Sequence, residues 1–153
     1  MKRVLATLAA VLALSAALAF GNPHPSVALR VGYAGSADFG FEVSTNCQLF
    51  QPPVGTLKPT IDLSYHYPFT SASFGMRYLL AVPPLEGIRA GGGAGIGYAD
   101  GFYGYVRADA EFDLDVGTLP LPVFLGVDAG YAVKFQEDAY GGFFAALKLG
   151  VRF

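Results

Sequence analysis

Tryptophan is absent, cysteine occurs once, and Asp, Glu, Lys and Arg together make up only 14% of the 153 residues. Each shortage excludes something. One cysteine, Cys47, cannot form an internal disulfide, so this is no disulfide scaffold. Its neighbours Asn46 and Gln48 give no redox motif, and it stands too far from the start to be a lipid-anchor cysteine. The two histidines, His24 and His66, are distant from each other and lack the Cys, His or carboxylate company of a zinc site. A water-soluble domain usually carries about 25% charged residues. The acidic balance disfavours a nucleic-acid partner. The run from Gly91 to Gly97 has no Gly-Lys-Ser/Thr ending and no following helix, so it is no phosphate loop. There is no nucleophile elbow, and nothing marks Ser64, Ser71 or Ser73 as catalytic. We expect no enzyme, no cofactor and no metal centre.

Long apolar runs are equally scarce. The one that exists is at the start, where Met1-Lys2-Arg3 precedes an apolar stretch from Val4 to Phe20 broken only by Thr7 and Ser15. Ala17-Leu18-Ala19 supplies the small residues of a cleavage site, so residues 1–19 read as a secretory signal peptide and 20–153 as one domain. No later stretch provides the roughly 20 apolar residues of a transmembrane helix. A closed barrel remains as a membrane solution, because it too satisfies every backbone group in lipid.

What is present is alternation. Apolar residues recur at every second position, which is the strand period. Eight segments show it, at about 27–34, from 38 onward, and at 57–67, 71–81, 86–98, 102–114, 121–135 and 143–153. The end of the second is unclear, since Pro52-Pro53 excludes a central ladder there. Pro68-Phe69-Thr70 reads as a tight connection, and Pro83-Pro84 ends the fourth segment. The fifth is weak by propensity because of its glycines. In a small barrel those glycines permit curvature and leave room for long neighbours.

Charge placement favours a barrel over a soluble sandwich. Lys2 and Arg3 lie in the leader, which leaves eight basic residues against twelve acidic ones. Sixteen of these twenty take the parity opposite the apolar faces: Arg30, Lys58, Arg77, Arg89, Arg107, Lys134, Lys148 and Arg152, with Asp38, Glu42, Asp62, Asp109, Glu111, Asp113, Asp115 and Asp128. The other four, Glu86, Asp100, Glu137 and Asp138, fall in or beside turns. Otherwise this parity is mostly Gly, Ala and Ser. That suits the crowded interior of an eight-stranded barrel, where opposite charges pair once removed from water. Asp109, Glu111, Asp113 and Asp115 share one face, and we expect Arg107, Arg89, Lys134 and Lys148 to pair with them. Tyr33, Tyr65, Tyr67, Tyr78, Tyr98 and Tyr131, with Phe39, Phe74, Phe102, Phe112, Phe135 and Phe153, lie near strand ends on the apolar parity, as interface rings do.

The last segment is the clearest strand. Phe143, Ala145, Leu147, Leu149, Val151 and Phe153 share one face, and the sequence stops on an aromatic residue. This resembles the closing strand of bacterial outer-membrane barrels, whose assembly machinery reads a terminal Phe preceded by alternate apolar residues. The chain is similar to the small eight-stranded members, the group that includes the transmembrane domain of the outer membrane protein A family. The resemblance implies an all-β, eight-stranded antiparallel transmembrane barrel, an up-and-down meander in the bacterial outer membrane. It implies lipids and the assembly machinery as partners, with Phe153, Val151 and Leu149 as the assembly signal. It leaves oligomeric state open. Barrel wall and short turns use nearly the whole chain and leave little surface for a specialised site, so we expect structural support of the envelope, and an eight-stranded interior filled by side chains gives no wide pore. Two alternatives stand: a small binding or transport barrel for ions or small amphiphiles, and a secreted soluble β-sandwich. For the binding barrel, Tyr103, Tyr105 and Arg107 would line the outer mouth. With Asp109, Glu111, Asp113, Asp128 and Lys148 they otherwise form an interior network that plugs it.

Overall fold

The computed structural model describes residues 25–47, 52–66, 69–114, 117, 121–135 and 141–153. The leader, Asp115, Tyr67 and the 136–140 loop of the sequence reading lie outside them. Eight strands run β1 Ser26–Tyr33, β2 Ala37–Ser44, β3 Thr56–His66, β4 Phe69–Ala81, β5 Ile88–Tyr98, β6 Phe102–Leu114, β7 Val123–Lys134 and β8 Gly141–Arg152. Each pairs antiparallel with the next, and β8 pairs antiparallel with β1, so the sheet closes. A two-sheet sandwich is thereby excluded. Closure leaves no unpaired edge. Leu29 sits between Phe41 on one side and Leu149 on the other, all facing outward.

The eight segments are those of the alternation, with corrections at their ends. The fourth strand begins at Phe69, so Phe69 and Thr70 are ladder residues and not a connection. They pair with His66 and Tyr65. The last strand begins at Gly141 and not Phe143, because Gly141 and Gly142 find partners in Val133 and Ala132. The fifth begins later, at Ile88, since Gly87 adopts φ 80° in the turn. The seventh is trimmed to Val123–Lys134. A strand end is set by whether the neighbour still offers a hydrogen bond, which alternation does not report.

The barrel is inside-out relative to a soluble domain. Among the described residues only Ala28, Leu79, Tyr105, Phe124 and Ala146 are buried hydrophobics, whereas Arg30, Asp38, Glu42, Lys58, Asp62, Arg77, Arg107, Asp109, Glu111, Asp128 and Lys148 are buried charges. Leu147 is 66% exposed and Phe143 80%. The glycines of β5 are what make this packing fit. Gly91, Gly93, Gly95 and Gly97 take the interior parity, and long side chains lie over three of them. A Cβ on Gly93 would meet Arg77 Cγ at 3.1 Å, one on Gly95 the Tyr105 ring at 2.6 Å, and one on Gly97 the Tyr103 ring at 2.3 Å.

The two barrel ends differ. Residues 34–36, 67–68, 99–101 and 135–140 connect strands at one end. Both ends of the sheet's seam, Ser26 and Arg152, lie at the other, together with the connection 82–87 and the two longest, 45–55 and 115–122. Aromatic rings ring the short-turn end: Tyr33, Phe39, Tyr65, Tyr98, Phe102, Tyr131, Phe135 and Phe143 are all exposed there. Tyr98 meets Phe102 edge-on at 5.2 Å, and Tyr131 meets Phe143 at 4.9 Å. Among the described residues the opposite end carries fewer exposed rings, chiefly Phe112 and Phe153.

Candidate functional site

The interior is filled by one ion-pair network. At mid-height Lys148 Nζ lies 3.0 Å from Glu42, 2.8 Å from Asp109 and 3.0 Å from Asp128. An ammonium has three donors, and here it meets three carboxylates. These same carboxylates form the only cluster with metal-ligand spacing among the described residues. Lys148 already supplies the cation at its centre, so the site is an internal salt bridge and not a metal centre.

Arg77, fully buried, meets Glu42 at 2.8 Å, Asp109 at 3.1 Å and Glu111 at 2.9 Å. Arg107 reaches Glu42 at 3.3 Å, Asp62 at 3.2 Å and Asp109 at 3.2 Å. Arg30 holds Asp128 at 3.0 Å. Toward the end that carries the termini, Lys58, Arg89 and Arg152 gather around Glu111 and Asp113. Charges withdrawn from water need such partners, and one partner is shared by several here.

Of the residues singled out from sequence, Arg107, Asp109, Glu111, Asp128 and Lys148 belong to this network. Asp113 belongs to its half-exposed lower end. The expected partners of the acidic run are corrected in one case: Lys134 lies at the rim against Asp100, 4.0 Å away, and takes no part. Arg77, Lys58 and Arg152 serve instead. Glu42, Asp62, Arg77 and Arg30 are hubs that the candidate site omitted. Their parity put them inside, but which inside residues meet across a barrel depends on strand stagger. Leu149, Val151 and Phe153 form the outer wall at the β8–β1 seam, where Leu149 and Val151 pair with Leu29 and Val27. The Phe153 N–H donates to the Pro25 carbonyl at 2.9 Å.

Tyr103 and Tyr105 do reach a mouth. A cavity of about 350 Å³ opens at the short-turn end, with Tyr103, Tyr105, Phe144 and Ser73 on its walls and Arg30, Asp62 and Arg107 toward its floor. Tyr105 contacts Phe144 edge-on at 6.2 Å and sits 5.7 Å from the Arg107 guanidinium. Ser64 and Ser71 bond to each other at 2.6 Å. Phe144 and Asp38 also line this cavity, and the sequence reading had not joined them to it. A second hollow, about 610 Å³, lies on the outer wall among Ala108, Ala110, Ala129, Ala145 and Leu147 and is apolar.

No family model matches the chain, and no curated protein matches it in sequence. Solved structures do match in shape. The N-terminal β-barrel domain of Pseudomonas aeruginosa OprF aligns with a TM-score of 0.56 at 12% identity, over 86% of this chain and 98% of that one. Neisserial surface protein A gives 0.55 at 13% identity, over 84% and 93%. The Yersinia pestis outer membrane protein Ail, in a phospholipid nanodisc, gives 0.51 at 13% identity, over 86% and 99%. At such identities the likeness is one of fold. This chain shares the eight-stranded, closed, antiparallel barrel of those small outer-membrane proteins.

Proposed function

We propose that the chain is an outer-membrane barrel that serves the envelope structurally, without catalysis and without a wide pore. The observation that carries this is the inversion of polarity: charge sealed inside, apolar side chains outside. An apolar wall of this kind is stable against lipid acyl chains and costly against water. The strands, 8 to 13 residues long, suit a bilayer crossed at a tilt. The lipid bilayer and the barrel-assembly machinery are its partners, after export through the inner membrane, with both termini on the periplasmic side. The network about Lys148, Arg77 and Arg107 fills the lumen, so bulk solute has no path. Membrane fractionation and single-channel recording test the reading together. The protein should be found with the outer membrane and show no large, steady, non-selective openings. Such openings, or recovery as a detergent-free soluble monomer, would overturn it.

The mouth cavity favours a second role beside the structural one, a small-molecule site at the outer end.

A further inference from the structure

We infer that the mouth cavity is a binding site for a small organic cation, an ammonium group seated on Asp38 and enclosed by aromatic rings. The inference rests on the barrel fold and is independent of where the barrel resides.

Asp38 is the observation that points to a ligand. It lines the cavity and is only 9% exposed. Its Oδ1 has no hydrogen-bond partner, and among the described residues no cation forms an ion pair with it. Every other described carboxylate in the barrel lumen forms an ion pair. Burying a carboxylate without compensation is unfavourable, and a bound cation relieves it.

Six charged residues line the cavity: Arg30, Asp38, Asp62, Asp100, Arg107 and Lys134. The cations among them are already engaged. Arg30 is held by Asp128 at 3.0 Å, Arg107 by Glu42, Asp62 and Asp109, and Lys134 stands at the rim near Asp100. Asp62 keeps Oδ1 without a hydrogen bond, with Arg30 no nearer than 4.0 Å. Among the described residues the opposite end of the lumen is richer in cations, since Lys58, Arg89 and Arg152 share Glu111 and Asp113. The unspent negative charge is therefore at the mouth.

The rest of the wall suits the same ligand. Tyr103, Tyr105 and Phe144 present rings to the cavity, and ring faces attract cations. An anion would meet Asp38 and Asp62. A neutral polyol would leave the charge of Asp38 uncompensated. The described turns above the cavity, 34–36 and 99–101, are short and leave it open.

The test uses the full mature barrel in a choline-free maltoside micelle. Tyrosine fluorescence reports binding, since the chain has nine Tyr and no Trp. The probes are choline, its neutral carbon isostere 3,3-dimethylbutan-1-ol, and a phosphocholine lysolipid. We expect saturable binding of choline or of the lysolipid and none of the isostere. Which of the two binds separates a free amine from a lipid headgroup. D38N should weaken binding about tenfold, or about 1.4 kcal/mol, with the barrel still folded by its heat-modifiable gel mobility. Should D38N fail to fold, Y103L decides, with the same loss expected. Saturable binding by neither cation, equal binding of the isostere, or undiminished affinity in the decisive variant would overturn the inference.

Discussion

Arg77 shows how much one interior side chain carries. It is fully buried and joins β4 to Glu42 on β2 and to Asp109 and Glu111 on β6. Removing it leaves three buried carboxylates competing for the remaining cations. R77M should therefore cost about 3–5 kcal/mol, read as a lowered urea midpoint of the refolded barrel. Lys134 faces Asp100 at 4.0 Å with both side chains substantially exposed. K134M should cost less than about 1 kcal/mol. Equal losses in the two variants would contradict the interior placement of the network. Gly95 is the complementary case, a residue needed for what it lacks. A Cβ there would meet the Phe74 carbonyl at 2.4 Å and the Tyr105 ring at 2.6 Å. G95A should cost about 1–3 kcal/mol through overpacking, on the same unfolding assay. An unchanged midpoint would mean that both the Phe74 backbone and the Tyr105 ring give way without cost.

At the scale of elements, β5 and β8 do opposite jobs. β5 supplies almost no interior side chains, so Tyr103, Tyr105 and Arg77 occupy its share of the lumen. β8 supplies Lys148 inside, Leu147 and Leu149 outside, and the seam with β1. Phe153 lies just past its end, 56% exposed, with its backbone N–H bonded to the Pro25 carbonyl. The folded barrel should thus tolerate F153S. If the terminal ring is read by assembly machinery, F153S should lower the inserted level under limiting assembly capacity, while the urea midpoint in micelles changes little. Matching outer-membrane levels of variant and parent would count against that role.

For the whole molecule, the decisive property is which medium touches the wall. Leu147 lies midway along β8, paired with Val31 and Val127, and points outward. In a bilayer L147R should cost about 2–4 kcal/mol, measured by unfolding from lipid vesicles. A wall bathed by water would accept the arginine at no cost. The loop lengths add a second molecular feature. Outer-membrane barrels generally carry short turns on the side of their termini, yet here the two longest connections, 45–55 and 115–122, lie on that side.

Side-chain parity was determined by the sequence alone. A strand sends successive residues to opposite faces, so the period of two in β6 and β8 placed Arg107, Asp109, Glu111 and Lys148 together and Leu147 and Leu149 against them. Strand number and the inward turn of the charges followed from the same local rule. Closure of β8 on β1 was expected from the resemblance and is what the structure shows, whereas tertiary structure alone decided the strand ends at Phe69 and Gly141 and every partnership across the lumen. Lys148 meets Glu42 across 106 residues of sequence. Parity says that both are inside, but their height along the axis depends on how each strand is staggered against its neighbours. The same stagger leaves Asp38 at the mouth outside every ion pair among the described residues.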